Sequence, residues 1–340
     1  MNEASTDAPY GWPGCDLSVP AIEVHELTKM YGDTRAVDGV SFEVDHGEIY
    51  GFLGPNGAGK TTTINMLTGL ARPSSGSISI FGHRCSADAR TAQHLMGIVP
   101  SENNLYEELD GFDNLCFCAS LYGMSRPERE KRARELLDQF GLSDAGKKKF
   151  AAYSKGMQRR LTIAAGIIHS PPILFLDEPT TGVDVASARQ IRQMIRRLNE
   201  RDKTTVFITT HYIEEAERLC HRIAFIVAGK IVRIGSVASL VQDVQGEHIL
   251  QFSFDGVYPD ACEQLRNEFA DVKWEEVSAQ VVRAVSPERL DIYPFVKFFE
   301  SKGIEVTEAR KIEPSLEDVF VRVTGLAAEE MKREKEGKAK

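Results

Sequence analysis

Gly54, Pro55, Asn56, Gly57, Ala58, Gly59, Lys60, Thr61 and Thr62 stand in a row, with Gly54, Gly59, Lys60 and Thr61 at the spacing G-x4-G-K-[ST]. Each residue type has a physical use there. Glycine lets the backbone wrap a phosphate with no side chain in the way. The loop N–H groups then point inward as an anion nest, and the following helix N-terminus adds roughly half a positive charge. Lys60 has the reach for β- and γ-phosphates, and the Thr61 hydroxyl is a ligand type for Mg²⁺. The pattern predicts a nucleoside triphosphate site.

Hydrolysis at such a site needs a carboxylate beside the metal and a group that orients or deprotonates water. Asp177 and Glu178 end the apolar run Ile173-Leu174-Phe175-Leu176 and can divide those tasks. His211 ends a second apolar run, Thr205 to Thr210. As a neutral imidazole it could bond a γ-phosphate or the attacking water, and a structural histidine is the plainer reading. Tyr153-Ser154-Lys155-Gly156-Met157-Gln158 precedes a helix expected from Arg159 to Ile168. It is either a second anion-binding arrangement or an ordinary N-cap serine. Tyr31, read on composition alone, is a core aromatic.

The elements that must position these residues follow from periodicity. Alternating strands over Ala21–Leu27 and Ala36–Val44 lead into a continuous apolar run, Ile49 to Leu53, that reads as a buried strand. Short strands, a helical insertion between about 102 and 160, and further strand–helix alternation follow. Buried strands ending at polar clusters describe an α/β fold with its site at strand C-termini. After Gln245 the pattern is strand, helix, two strands, helix, strand, helix: a small α+β domain over 246–325. Ser315 and Asp318 fit a capping box for the last helix. A polar leader over 1–20 and a charged tail over 326–340 flank the two domains, 21–245 and 246–325.

A net charge of −9 argues against wrapping nucleic acid as the main task. No run of about 18 apolar residues is present to cross a bilayer, and no export signal opens the chain. The six cysteines lack metal-site spacing and are expected to be reduced thiols.

The ordered set Gly54–Thr61, Tyr153–Leu161, Ile173–Pro179, Thr180–Asp184 and Thr209–Glu217 resembles the ATPase subunit of an ABC transporter. The branch it is most similar to comprises drug and antibiotic exporters, of the daunorubicin-resistance type, that energise a separate ABC-2-type membrane protein. The resemblance covers about Ala21 to Gln245, and Ser315 to Gly325 resembles that branch's C-terminal extension. It implies a P-loop NTPase fold with a β-rich subdomain, a RecA-like core and a helical subdomain. Tyr31 would then stack on adenine, reversing the core reading. Asp177 would hold Mg²⁺, Glu178 would be the general base and His211 the switch at the γ-phosphate. Ser154 and Gly156 would touch ATP bound to the opposite subunit, and Asp184 would link two sites. Two cassettes would sandwich two ATPs head to tail, so a homodimer is expected at the cytoplasmic face of the membrane. A soluble ABC ATPase acting on ribosomes or DNA is the alternative; those chains carry paired cassettes or a long coiled coil, which this sequence lacks. Lys155 and Ser101 stand where the family usually has glycine and glutamine, and the second departure bears on coupling to the membrane partner.

Overall fold

The computed structural model describes residues 15–16, 18–85, 89–242, 248–256, 261–312 and 315–325. The charged tail, most of the leader and the junction at Gln245 lie outside them. The described residues divide into two compact units, one running to Ser236 and one beginning at Val237.

The first unit opens with β1 (Ile22–Tyr31) and β2 (Thr34–Val44), a hairpin turned at Gly32, followed by β3 (Ile49–Leu53). Then come α1 (Lys60–Leu67), β4 (Ser75–Ile80), β5 (His83–Arg84), α2 (Ala89–His94) and β6 (Met96–Val99). The helical insertion supplies α3 (Gly111–Leu121), α4 (Arg126–Gln139) and α5 (Lys155–Gly166). β7 (Ile173–Asp177), α6 (Val185–Asp202), β8 (Thr205–Thr210), α7 (Ile213–Leu219), β9 (Arg222–Val227) and β10 (Lys230–Ser236) complete it.

Two sheets result. The antiparallel one has the order β2-β1-β4-β5, and the larger one the order β10-β9-β3-β8-β7-β6. From β9 to β6 its strands run parallel, with β10 antiparallel at the edge. β3, β7 and β8 are buried at every position, as strands covered on both faces must be. Phe207 lies 5.5–5.8 Å from the rings of Phe42, Tyr50, Phe52 and Phe175, so one aromatic cluster joins β2 to the parallel sheet. Register then sets the site. Leu53 pairs with Thr210 and Asp177 with Thr209, so the C-terminal ends of β3, β7 and β8 lie side by side. In the insertion, Leu115, Ala119, Ala133 and Leu136 are fully buried, while Arg126 and Arg134 pair with Glu130 at 2.9 and 3.3 Å on the solvated face of α4.

The second unit begins with α8 (Val237–Gln242) and continues through β11 (His248–Phe254), α9 (Ala261–Glu268), β12 (Lys273–Ser278), β13 (Val281–Ser286), α10 (Ile292–Ser301), β14 (Val306–Ile312) and α11 (Leu316–Thr324). Its antiparallel order, β12-β13-β11-β14, is the split βαβ arrangement of ferredoxin-like folds. Phe252, Trp274, Phe295 and Phe299 form its core. The expected capping box is present, with Ser315 Oγ accepting from Asp318 N and the Asp318 carboxylate accepting from Ser315 N.

Candidate functional site

The phosphate loop leaves β3 at Gly54, whose N–H donates to Thr210 O, and enters α1 at Lys60. Within it Ala58 N–H closes a turn on Pro55 O at 3.2 Å, while Pro55 and Asn56 are half-buried and Gly57 is exposed. Gly57 and Gly59 sit at φ 77° and 104°, a region side chains rarely adopt. The glycines also have a constraint the motif hides. A Cβ on Gly54 would fall 2.1 Å from Ile226 O, and one on Gly59 would fall 2.5 Å from Ala36 O. Neighbouring backbone from β9 and β2 thus presses the loop into shape before any ligand is considered.

Lys60 is buried, and its ammonium donates to Gly54 O (2.8 Å) and Pro55 O (3.0 Å) and lies 3.6 Å from Glu178. Thr61 is exposed at the mouth, and its hydroxyl donates to Asp177 Oδ2 at 3.0 Å. Thr209 donates to the other carboxylate oxygen. A hydroxyl and a carboxylate side by side are hard oxygen donors of the kind Mg²⁺ takes, with phosphates and waters completing its shell. Among the described residues no group of three or more His, Cys, Asp and Glu is placed to hold a metal ion. Thr62 follows, half-buried, inside α1.

Glu178 is held by its backbone and by its carboxylate. Its N–H donates to Thr209 O at 3.0 Å, and its φ of 47° is left-handed, a conformation costing a non-glycine residue about 1–2 kcal/mol. One carboxylate oxygen accepts from Thr181 Oγ1 at 3.0 Å, and the other lies 3.1 Å from His211 Nδ1. Burial opposes its ionisation, but the His211 imidazole, with Lys60 and Thr181, outweighs that and holds the carboxyl at about 2. Glu178 is therefore an anion throughout the neutral range, able to accept a proton.

Lys60, Thr61, Asp177, Glu178 and His211 are thus gathered from three sequence-distant segments of the chain. Ser154 and Gly156 lie elsewhere, in the opening of α5. Ser154 is exposed and is the N-cap, its hydroxyl accepting from Met157 N–H at 3.3 Å. The helix starts four residues before its expected position because this cap satisfies a free donor and outweighs the poor helix propensity of Gly156. Gly156 is buried, and a Cβ there would come within 2.6 Å of Ser187 Cβ in α6. Asp184 caps α6, accepting from Ser187 N–H at 2.9 Å. Tyr31 corrects its composition-only reading: it is 52% exposed beside the β1–β2 turn, with Lys29 Nζ 4.9 Å from its ring.

Two buried titratable side chains near the site escape sequence reasoning. Glu215 accepts from Thr180 Oγ1 (2.7 Å) and Thr210 Oγ1 (2.8 Å), tying the segment after Glu178 to the strand end before His211; burial raises its carboxyl despite both bonds. Arg159 donates to Asp177 O (2.7 Å), Pro179 O (2.9 Å) and Pro100 O. Burial lowers its guanidinium to about 10, against the raising effect of Asp177, Glu215 and Glu178, so it stays charged.

A phosphate loop leaving a central parallel strand, with acids ending the strand two places away, defines a P-loop nucleotide-binding protein. A family model described as ABC transporter matches residues 37–181. The linearmycin resistance ATP-binding protein LnrL of Bacillus subtilis is 34% identical over 306 residues, covering 89% of this chain and 98% of that protein. The daunorubicin/doxorubicin resistance ATP-binding protein DrrA of Streptomyces peucetius is 37% identical over 322 residues, covering 92% and 95%. Among solved structures, an ATP-binding subunit of an ABC transporter aligns with TM-score 0.59 at 32% identity, covering 66% of this chain and 92% of that one. The dimeric ABC transporter cassette MJ0796 aligns with TM-score 0.59 at 30% identity, covering 63% and 98%. The chain belongs to the ATP-binding subunits of ABC transporters, and it is an ABC ATPase.

Proposed function

We propose that this ATPase powers efflux of a drug-like or other substrate through a separate ABC-2-type membrane subunit, to which it binds at the cytoplasmic face. Relatives named for linearmycin resistance, daunorubicin resistance and Nod factor export support the export reading. No helix among the described residues is long and apolar enough to cross a membrane.

In this reading Gly54 to Thr62 cradle the phosphates, Lys60 binds β- and γ-oxygens, and Tyr31, exposed as a stacking surface must be, lies on adenine. Thr61 and Asp177 would hold Mg²⁺, which neutralises phosphate charge. Glu178 takes the proton of the attacking water, and His211 steadies the carboxylate and the γ-phosphate. Ser154 and Gly156 of a second copy close the site, making a head-to-tail dimer, and Asp184 links the two sites. The observation that carries the reading is the contact set Lys60–Glu178–His211 beside Thr61–Asp177.

Two measurements test it. Glu178→Gln should retain ATP binding and lose hydrolysis by about 100-fold or more; wild-type turnover would remove Glu178 from the mechanism. Extraction of the native host membrane in mild detergent should recover this chain with a polytopic membrane protein. Recovery with ribosomes or DNA instead would replace the export reading.

A further inference from the structure

The geometry points to Arg159 as a positioning residue for hydrolysis: its guanidinium holds the backbone on both sides of Glu178 and the backbone just before Ser101, so α5, the loop after β6 and the hydrolytic acids move as one piece. The inference rests on the reading of Glu178 as general base.

Arg159 is 4% exposed and comes from the first half of α5, the helix whose N-terminus carries Ser154 and Gly156. Nη2 donates to Asp177 O and Nε to Pro179 O, the carbonyls that precede and follow Glu178. Glu178 lies between these two anchors at φ 47°, a conformation that persists only where its surroundings over-determine it. A planar fork with donors in fixed directions can do this; a flexible ammonium cannot hold the same set of angles. Nη1 donates to Pro100 O at the exit of β6. One turn away the same loop is tied again: Asn103 Nδ2 donates to Gln158 Oε1 at 3.1 Å, and Thr162 Oγ1 donates to Asn103 Oδ1 at 3.3 Å. Three residues of one helix, Gln158, Arg159 and Thr162, therefore grip the loop, and the central one also grips the turn that aims Glu178. A displacement of the loop or of the helix reaches the carboxylate through this cation. Ser101 is exposed and short, so the fastening of its loop lies in these bonds.

The test uses the full chain, with steady-state ATPase and trinitrophenyl-ATP binding on wild type, Arg159→Lys, Arg159→Gln, Asn103→Ala and Glu178→Gln. Arg159→Lys should keep one nucleotide per chain and a KM within about threefold of wild type, while kcat falls about 10- to 100-fold, the usual effect of misplacing a reacting group by about 1 Å. Asn103 is exposed, so its variant folds even where a change at Arg159 does not; its kcat should fall by a few-fold at unchanged KM. A purely structural role would lower the number of binding sites and leave kcat per site alone. Wild-type kcat per bound nucleotide in both Asn103→Ala and every Arg159 variant that folds overturns the inference. With Glu178→Gln inactive, that result removes Arg159 alone; an active Glu178→Gln removes the reading beneath it.

Discussion

Gly156→Ala is a sensitive perturbation because its effect can be worked from two atoms. The new methyl would lie 2.2 Å from Ser187 Oγ and 2.6 Å from Ser187 Cβ. Carbon atoms rest about 3.5–4.0 Å apart, so α5 must retreat from α6 by about 1 Å. Overpacking of this size costs about 1–3 kcal/mol. At about 2–4 °C per kcal/mol for a unit of this size, thermal unfolding should occur about 2–12 °C lower. The retreat moves the opening of α5, which bears Ser154, and kcat should fall by up to about 100-fold. Scanning calorimetry and steady-state ATPase measure both. Ser187→Gly removes both offending atoms while leaving the Ser187 N–H bond to Asp184 in place. The double variant should therefore recover most of the lost stability, with a coupling of about 1 kcal/mol or more. Strict additivity of the two changes, or an alanine variant as stable as wild type, would refute the steric argument.

Other outcomes follow from the same site. Ser101→Gln should raise basal ATPase activity, because serine reaches the metal and water only through a bridging water; identical rates in the two proteins would show that the position is neutral. The Glu178 carboxyl, at about 2 against an ordinary 4.5, contributes stability that is complete above 4.5 and is lost as pH falls toward 2. His211→Ala removes the leading attraction and raises that carboxyl, so acid unfolding should begin at higher pH than in wild type, and Glu178→Gln should blunt the difference. Superimposable acid limbs for wild type and His211→Ala would count against the pair.

The phosphate loop, the acid pair and His211 were legible from sequence because each follows or ends a buried strand. Ile49 to Leu53 must be apolar throughout to lie in a parallel sheet, and a Gly-rich loop after such a strand has few other uses. Strand order was not legible, since the pairings of β3 with β8 and β9 join segments more than 150 residues apart. For the same reason the steric demands on Gly54 and Gly59, set by Ile226 and Ala36, were hidden. Arg159 and Glu215 were read past because charged residues default to the surface, and only three-dimensional surroundings reveal a buried ion that is fully bonded. Tyr31 erred in the opposite direction: aromatic type suggested the core, whereas the β1–β2 turn carries it into solvent. In the second unit the order of elements was visible, but the order β12-β13-β11-β14 that makes it ferredoxin-like was not.

In the proposed function one chain carries half of each hydrolytic site. Lys60→Met disables a chain's own phosphate loop and leaves its α5 intact; Ser154→Arg does the reverse. Each variant alone should be nearly inactive. Mixed in equal amounts and allowed to exchange, half the dimers are hybrids with one complete site of two, so activity should return to about a quarter of wild type. Activity in the mixture no greater than that of the separate variants would contradict the claim.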